Sequence, residues 1–403
     1  MNILVLTYIQ TSLNKWRETT AKNINTWLKE KDVNVTVIFV RSHMCEEVNI
    51  YEEIDLDAEI HVVNFESYKE TEKILFCVDQ FLEPANHTVF LKKLEEVIIE
   101  KEYDIVQIDS ILFAPYLESM ILMSKAKLVF KPAFVESEEL EKIGQIPKFS
   151  IIKRYHFGRY ISKVRDFERI FARKFDYMVV SDIDMYEYFY KVGLKNFYFI
   201  PESCTIEDNW NENIENKIEG GLKIYYAGFL HSKEVMRAIL WFLNNVWKSL
   251  LKLDHTIEFH IGGKAPEWFV QLLEGRFGVY YHGQVENMDE FIRDKNILLL
   301  PFEKSIGVTD VMIKSLKAGK LIIANPIAVR DLHFTPMFHY MPARTAGAYE
   351  RLIERILKQP NILPDSSKEI IKFAKENLTD DFLPKILLNF YRQIIKQKIE
   401  SKL

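Results

Sequence analysis

The chain has 403 residues, enough for two or three domains that each bury a hydrophobic core. Hydrophobic residues make up 48% of the sequence and the formal net charge is −5, a balance typical of a globular protein that gives no sign of nucleic-acid binding. No apolar run approaches the roughly 18 residues of a membrane-spanning helix. Three widely spaced cysteines, Cys45, Cys77 and Cys204, fit a reducing cytoplasm and lack metal-site spacing.

The first half of the chain alternates short apolar segments with helix-length patterns. This alternation predicts β-α-β units and therefore a parallel sheet. The predicted strands are Asn2–Thr7, Asn34–Val40, Glu59–Val63, Tyr103–Asp109, Lys127–Phe130, Tyr177–Ser181 and Asn196–Pro201, and two predicted helices are Trp16–Glu30 and Val89–Glu100. We interpret residues 1–204 as one Rossmann-like α/β domain. The first apolar run, Ile3–Ile9, lacks a basic leader and is predicted to be a strand of this domain.

A polar segment follows, Thr205–Gly221, which contains four asparagines and ends in Gly220-Gly221. Such a composition is typical of a linker between domains. The pattern of short strands and helices then resumes. The predicted strands are Leu222–Ala227, Thr256–Ile261, Gly278–Tyr281, Ile297–Pro301 and Leu321–Ala324. Residues 222–380 are therefore predicted to form a second Rossmann-like domain.

Parallel sheets bind ligands at the carboxyl ends of their strands. In the second domain the loops at those ends contain glycines, small polar residues and lysines, which suit a phosphate-bearing ligand because they offer backbone amides and ammonium groups. The residues concerned are Gly228, His231, Ser232, Lys233, Gly262, Gly263, Lys264, Glu303, Gly307, Val308 and Thr309.

The last predicted helix, 381–403, has an apolar stripe running from Leu383 to Ile394. We expect it to return to the first domain and pack there. Two sheet domains joined by one linker also suggest a central cleft, with loops from both sheets facing each other across it.

Several segments together resemble one family, the GT-B glycosyltransferases, and within it the retaining nucleotide-sugar enzymes of family 4. The closest likeness is to bacterial sugar transferases of exopolysaccharide and capsule pathways. The segments that carry the resemblance are Phe167-Glu168 with Phe175–Asp184, Ala227-Gly228 with Trp241–Trp247, Ile261–Pro266, Gly283–Val285, Pro301–Gly319 and Leu321–Pro326. The resemblance implies two Rossmann-like domains facing a central cleft, a UDP- or GDP-sugar donor as substrate, no tightly bound cofactor and no metal.

Some positions depart from the family pattern. Lys314 stands where the family carries the glutamate that binds the nucleotide ribose, and Ile306 stands at the other conserved glutamate position. Phe229 replaces an arginine that binds the diphosphate, and Lys233 falls one residue short of the family lysine. Asp109 occupies the place of a histidine after the strand at 104–108. These differences leave open an inactive relative that binds a partner instead of transferring a sugar.

Glycosyl transfer builds negative charge on the leaving diphosphate, and cations and backbone amides stabilise it. Lys233, Lys264 and Lys314 are the candidate cations, although a loop lysine is more often simply solvated. The helix predicted to begin near Thr309 would offer its free amides to phosphate. His231 is a candidate contact to phosphate or sugar, with an ordinary loop histidine as the alternative.

Two carboxylates are candidates for the chemistry itself. Asp109 follows an apolar strand and could accept the proton of the acceptor hydroxyl or orient the sugar. Aspartate is also a preferred N-cap, so Asp109 could merely cap a helix starting near Ile111. Glu303 could hydrogen-bond sugar or ribose hydroxyls, or be an exposed loop residue. With Lys233, these two residues form the predicted catalytic group.

The segment Lys148–Lys174 is rich in lysine and arginine interleaved with aromatic residues. A basic aromatic helix can lie on an anionic membrane, which would suit a lipid-linked acceptor. Packing of its aromatics within the first domain is the simpler alternative, and nucleic-acid binding is disfavoured by the net charge. We therefore expect a cytoplasmic protein with possible contact at the inner face of the membrane.

The leading functional prediction is transfer of a sugar to a glycan or lipid-linked acceptor in cell-surface polysaccharide synthesis. A sugar-nucleotide epimerase is a further alternative, but it would need more acidic and histidine residues in the cleft than this chain shows.

Overall fold

The computed structural model describes residues 1–9, 20–42, 56, 58–65, 84–132, 135–144, 151–181, 183–194, 196–201, 216–228, 230–332 and 334–400. The expected loop Gln10–Arg17, the start of the helix predicted from Trp16, Phe229 and most of the predicted linker lie outside these residues. The chain divides into two compact units. The first comprises Met1–Tyr198 and the segment from Leu383 onward, and the second comprises Phe199–Phe382.

The first unit contains a seven-stranded sheet with the order β3-β2-β1-β4-β5-β6-β7. Its strands are β1 (Asn2–Ile9), β2 (Asn34–Ser42), β3 (Glu59–Phe65), β4 (Ile105–Ile108), β5 (Lys127–Phe130), β6 (Tyr177–Val180) and β7 (Phe197–Phe199). The second unit begins at the last residue of β7. The pairings from β3 through β6 are all parallel. The order reverses direction between β1 and β4, and such a switch point is where open α/β sheets bind ligands.

Helices connect these strands. They are α1 (Lys22–Leu28), α2 (Pro84–Glu100), α3 (Leu117–Met123), α4 (Glu136–Gly144), α5 (Ile151–Phe171) and α6 (Ile183–Val192), with short 3₁₀ turns at Ile111–Tyr116 and Ala172–Lys174. All four residues of β4 are buried. This matches a parallel sheet covered on both faces, whose central strands read as continuous apolar runs.

The C-terminal helix, Phe382–Glu400, packs on the first unit, as the sequence predicts. The indole of Trp27 donates to the carbonyl oxygen of Pro384 at 2.8 Å. Phe390 stacks on Tyr198, with ring centroids 4.0 Å apart. The apolar stripe of this helix is therefore the face that it buries.

The second unit contains a six-stranded parallel sheet with the order β10-β9-β8-β11-β12-β13. Its strands are β8 (Lys223–Ala227), β9 (Glu258–Gly262), β10 (Val279–Tyr281), β11 (Ile297–Leu300), β12 (Leu321–Ala324) and β13 (Met341–Pro342). Its helices are α7 (Lys233–Phe242), α8 (Lys248–Leu253), α9 (Glu267–Leu273), α10 (Met288–Arg293), α11 (Asp310–Lys317), α12 (Ala346–Lys358) and α13 (Ile362–Asn377), with a π turn at Leu243–Trp247 and a 3₁₀ turn at Arg330–Leu332.

The strands of the second unit differ from the sequence-based expectation by one or two residues at several ends, and one strand was not predicted. Strand β9 begins at Glu258 instead of Thr256, because the Asp254 carboxylate accepts bonds from the Thr256 amide and hydroxyl and turns the chain there. The two-residue strand β13 was not predicted, since it is too short to show an alternating pattern.

The predicted fold class is confirmed. The chain has two Rossmann-like α/β units with parallel sheets, and a C-terminal helix that belongs to the first, which are the parts of a GT-B fold. Among the described residues, no helix is both long enough and apolar enough to cross a membrane.

Candidate functional site

The candidate residues of the second unit lie along the carboxyl edge of its sheet. Strands β9, β8 and β11 are neighbours in the sheet and end at Gly262, Ala227 and Leu300. The loops that follow carry Gly263 and Lys264, then Gly228 to Lys233, then Glu303 to Thr309. The structure therefore brings the three predicted loops to one edge of one sheet, as parallel strand order requires.

The loop after β8 leads into α7. Ser232 is the N-cap of α7, and its hydroxyl accepts from the Val235 amide at 3.5 Å, which explains this serine without a ligand. Lys233 is the first residue of the helix and its side chain is exposed. Its ammonium group is thus available to a ligand at this edge. His231 is half-buried in the turn just before the cap.

Gly228 and Gly263 are held against each other. The amide of Gly228 donates to the Gly262 carbonyl at 3.0 Å, and a Cβ on Gly263 would lie 2.2 Å from the Gly228 carbonyl oxygen. Both glycines have positive φ values, 134° and 129°. Close approach of the protein's own backbone therefore accounts for glycine at 263. Lys264, next in the chain, is half-buried.

The loop after β11 is shaped in a similar way. Gly307 has a φ of 91°, and a Cβ there would lie 2.2 Å from the carbonyl oxygen of Phe199, the first residue of the second unit. The Val308 amide donates to that same oxygen at 2.8 Å, and the Val308 side chain is buried in the core. Neither residue needs a ligand to explain it. Glu303 is exposed at a bend of this loop.

Thr309 carries a buried hydroxyl that has no structural use in the described part of the protein. It is the N-cap of α11, but its side chain makes no capping hydrogen bond. The residue is only 5% exposed, and its hydroxyl oxygen is buried without a hydrogen-bond partner among the described residues. A buried hydroxyl without a partner is costly, and the first amides of a helix lack intrahelical partners. The helix start and this hydroxyl together suit an anionic group.

Lys314, on the second turn of α11, is engaged with carboxylates. Its ammonium lies 3.1 Å from the Asp289 carboxylate and 3.8 Å from that of Asp310. The positive charge at the position of the family glutamate is therefore balanced by the protein itself. A phosphate that binds Lys314 would have to compete with these two acidic side chains for its ammonium group. The role of Lys314 as a cation for phosphate therefore stays a prediction.

In the first unit, Asp109 directly follows β4, next to the switch point. Its carboxylate accepts hydrogen bonds from the side-chain nitrogen of Gln107 at 2.7 Å and from the Thr20 hydroxyl at 3.2 Å. Burial raises the pKa of Asp109, while Lys131 and these hydrogen bonds oppose the rise. Asp109 is not the helix cap, because Ser110 is the N-cap of the following 3₁₀ turn. The structural alternative for Asp109 is thus wrong, and a half-buried acid with a shifted pKa remains at a strand end.

One further acid at this edge was missed by the sequence analysis. Glu136, the first residue of α4, accepts a hydrogen bond from the Ser110 hydroxyl. Burial raises its pKa to about 8, and the nearby buried Glu168 adds to the rise. Glu136 follows the end of β5 by six residues, and this place near the carboxyl end of a parallel strand could have marked it as a candidate in the sequence. In the part of the chain that the structure describes, no three His, Cys, Asp or Glu side chains are grouped as metal ligands would be.

The second unit matches a known family. The model of the family "Glycosyl transferases group 1" matches residues 221–358, about a third of the chain. This segment contains the three loops of the carboxyl edge and helix α11. No curated protein is similar to the chain in sequence.

Several solved structures resemble the chain over nearly its whole length at low identity. Anabaena HepE in complex with UDP and glucose is 10% identical, with both chains fully covered and a TM-score of 0.39. Sucrose-phosphate synthase from Thermosynechococcus elongatus is 11% identical, covers 98% of this chain and 100% of its own, and has a TM-score of 0.40. The lipopolysaccharide outer core galactosyltransferase WaaB is 12% identical, with both chains fully covered and a TM-score of 0.41. Likeness at this level does not extend to substrate or chemistry.

Proposed function

We propose that this chain is a glycosyltransferase that uses a nucleotide-sugar donor, and that the diphosphate of the donor binds at the start of helix α11. The observation that carries the proposal is the buried hydroxyl of Thr309 at that helix start, which has no hydrogen-bond partner among the described residues. A phosphate oxygen is the acceptor that would satisfy this hydroxyl together with the free helix amides. The family match over 221–358 supports the same assignment.

The donor site assigned here serves the leaving group. As the bond between sugar and phosphate breaks, negative charge grows on the diphosphate, and amides and cations aimed at it lower the barrier. Lys233, exposed at the start of α7, is the proposed cation from the neighbouring loop. Lys264, His231 and Glu303 are the further proposed contacts. The resemblance to family 4 supports a UDP- or GDP-sugar and a retaining reaction.

We assign the acceptor to the first unit. Asp109 is the proposed base or orienting group for the acceptor hydroxyl, because it is a half-buried carboxyl at the switch point of the sheet with a pKa shifted by burial. The proposed acceptor is a glycan or lipid-linked glycan of cell-surface polysaccharide synthesis. We further propose a cytoplasmic protein whose helix α5 contacts anionic lipid. Arg169 and Ile170 are both exposed on this helix, which gives it a basic and an apolar side chain for such a contact.

Binding of nucleotides tests the donor site. Thermal-shift measurements with UDP, GDP, UDP-glucose and GDP-mannose detect a ligand that binds the native state, because such binding raises the melting temperature. We expect Thr309→Val to weaken binding of the active nucleotide about 10-fold or more, as loss of a hydrogen bond to a charged group does. Thr309→Ser keeps the hydroxyl and should retain binding.

Thr345 provides the matched control. It caps α12, and its hydroxyl accepts from the Ala348 amide at 3.3 Å. Thr345→Val should cost stability without changing nucleotide affinity. Lys233→Ala should also weaken nucleotide binding in calorimetry, and unchanged affinity would remove Lys233 from the site. Unaltered affinity of Thr309→Val would contradict the assignment of the phosphate to α11.

An inactive relative is the second candidate function, and the engagement of Lys314 by two carboxylates favours it. Such a protein would keep the fold as a binding or partner subunit that has lost the donor site. It would show no thermal shift with any of the four nucleotides. A shift with one of them that disappears in Thr309→Val would exclude this alternative.

A further inference from the structure

We propose that Tyr391 of the C-terminal helix is a positioning residue that sets the orientation and the proton affinity of Asp109 through Gln107. This inference rests on the proposed role of Asp109 at the acceptor. It gives the returning C-terminal helix a part in the site as well as in the fold.

Two hydrogen bonds connect the three residues. The Tyr391 hydroxyl donates to the Gln107 side-chain oxygen at 2.6 Å, and the Gln107 side-chain nitrogen donates to the Asp109 carboxylate at 2.7 Å. Gln107 is on β4 and wholly buried, so its side-chain amide depends on protein groups for its hydrogen bonds. An amide offers an oxygen on one side and an NH₂ on the other. The donor on Tyr391 therefore decides which of the two faces Asp109.

Tyr391 can hold this orientation over a wide pH range. The residue is completely buried, and burial raises the pKa of its hydroxyl well above 10, with the nearby Asp109 adding to the rise. It therefore stays a donor throughout the range in which a carboxyl titrates. The ring packs edge-on against Trp27, with centroids 5.6 Å apart, and Trp27 in turn binds the helix backbone at Pro384. The hydroxyl is thus held in place by the first unit.

The consequence for Asp109 is electrostatic. An NH₂ facing a carboxylate stabilises its charged form, whereas a carbonyl oxygen in the same place would favour the protonated form. The other groups that act on Asp109 are Thr7, Thr20 and the ammonium of Lys131, all of which also favour the charged form. Without the Tyr391 hydroxyl, the side-chain amide of Gln107 can turn its oxygen to Asp109, which stabilises the protonated carboxyl and raises its pKa further.

The experiment measures the pKa of Asp109 directly. The full-length protein is labelled with ¹³C at aspartate carboxyl carbons and titrated by NMR, and the Asp109 signal is the one missing from Asp109→Asn. We expect Tyr391→Phe to raise the pKa of Asp109 by about one unit or more. Gln107→Leu removes the donor altogether and should raise it at least as much.

Tyr225 supplies the control. It is a buried tyrosine of the second unit whose hydroxyl bonds the Ser315 hydroxyl at 2.6 Å, so Tyr225→Phe also removes one buried hydrogen bond. It should lower stability and leave the pKa of Asp109 unchanged. An unchanged Asp109 titration in Tyr391→Phe would overturn the proposal, whatever Gln107→Leu shows. This readout needs no nucleotide, so its failure is distinct from failure of the proposed donor site.

Discussion

The carbonyl oxygen of Gly228 occupies the place that a side chain at Gly263 would need, with 2.2 Å between that oxygen and a Cβ built on Gly263. This contact joins the loops after β8 and β9 at the candidate donor edge. Packing of the two loops therefore explains the glycine at position 263 without any ligand.

Replacing Gly263 by alanine should therefore destabilise the second unit by about 2 kcal/mol or more, because the Cβ overlaps backbone and φ is positive. Urea unfolding measures the loss. Gly275→Ala is the control, since Gly275 also has a positive φ of 77° but nothing lies within 4 Å of its Cβ. The control should cost only the conformational strain, about 1 kcal/mol. Equal stability of the two variants would show that the Gly228 contact yields easily.

Lys314→Glu should reduce both stability and nucleotide binding. The new carboxylate would join Asp289 and Asp310, whose oxygens lie 3.1 and 3.8 Å from the present ammonium. Asp289 is 70% exposed, so solvent screens the repulsion and the stability loss should stay within about 1 kcal/mol. Negative charge added to α11, near the proposed phosphate site at its start, should weaken UDP or GDP binding in calorimetry. Lys314→Met separates loss of the cation from gain of an anion; tighter binding by the glutamate form would indicate a ribose contact instead.

Glu136 should make stability fall as pH rises. Its pKa in the folded protein is about 8, above the ordinary 4.5, so the folded state holds the proton more tightly than the unfolded chain. The stability linked to this proton is complete below pH 4.5 and is lost as pH rises to about 8, by a few kcal/mol. Glu136→Gln should flatten this part of the pH profile. The exposed Glu274, changed to glutamine, is the control; a Glu136→Gln profile parallel to wild type would refute the shifted pKa.

Lys320 should make the free energy of unfolding increase with pH, the opposite of Glu136, and over a higher pH range. Burial lowers its pKa from 10.5 to about 8, so between these values the unfolded chain binds the proton better than the folded protein. Stability therefore rises across this window by up to about 3 kcal/mol from this group. The difference in unfolding free energy between wild type and Lys320→Met, followed from pH 7.5 to 10, isolates it from other groups. Lys358→Met, at an exposed pair with Glu354, should show no such pH-dependent difference.

Much of the fold follows from local patterns. Short apolar runs predict the strands of both sheets, because buried parallel strands need continuous apolar side chains. The stripe from Leu383 to Ile394 predicts an amphipathic last helix that needs a surface to cover it. The helix start at Thr309 and the strand end at Asp109 are also visible in the sequence, since caps and strand ends depend on neighbouring residues.

The partners of those residues were decided only by the tertiary structure. Gln107 and Tyr391, 284 positions apart, meet because the C-terminal helix settles on β4 in one register, and no periodicity encodes that register. The same holds for Asp289 beside Lys314, for Ser110 beside Glu136 and for the Gly228 carbonyl beside Gly263. An apolar pattern states how much of an element must be buried, whereas the pKa of a carboxyl or the environment of the Thr309 hydroxyl depends on single atoms of distant segments. The sequence by itself therefore determined the two sheets and the edge where we propose that a ligand binds, and the packed structure decided which side chains at that edge can contact it.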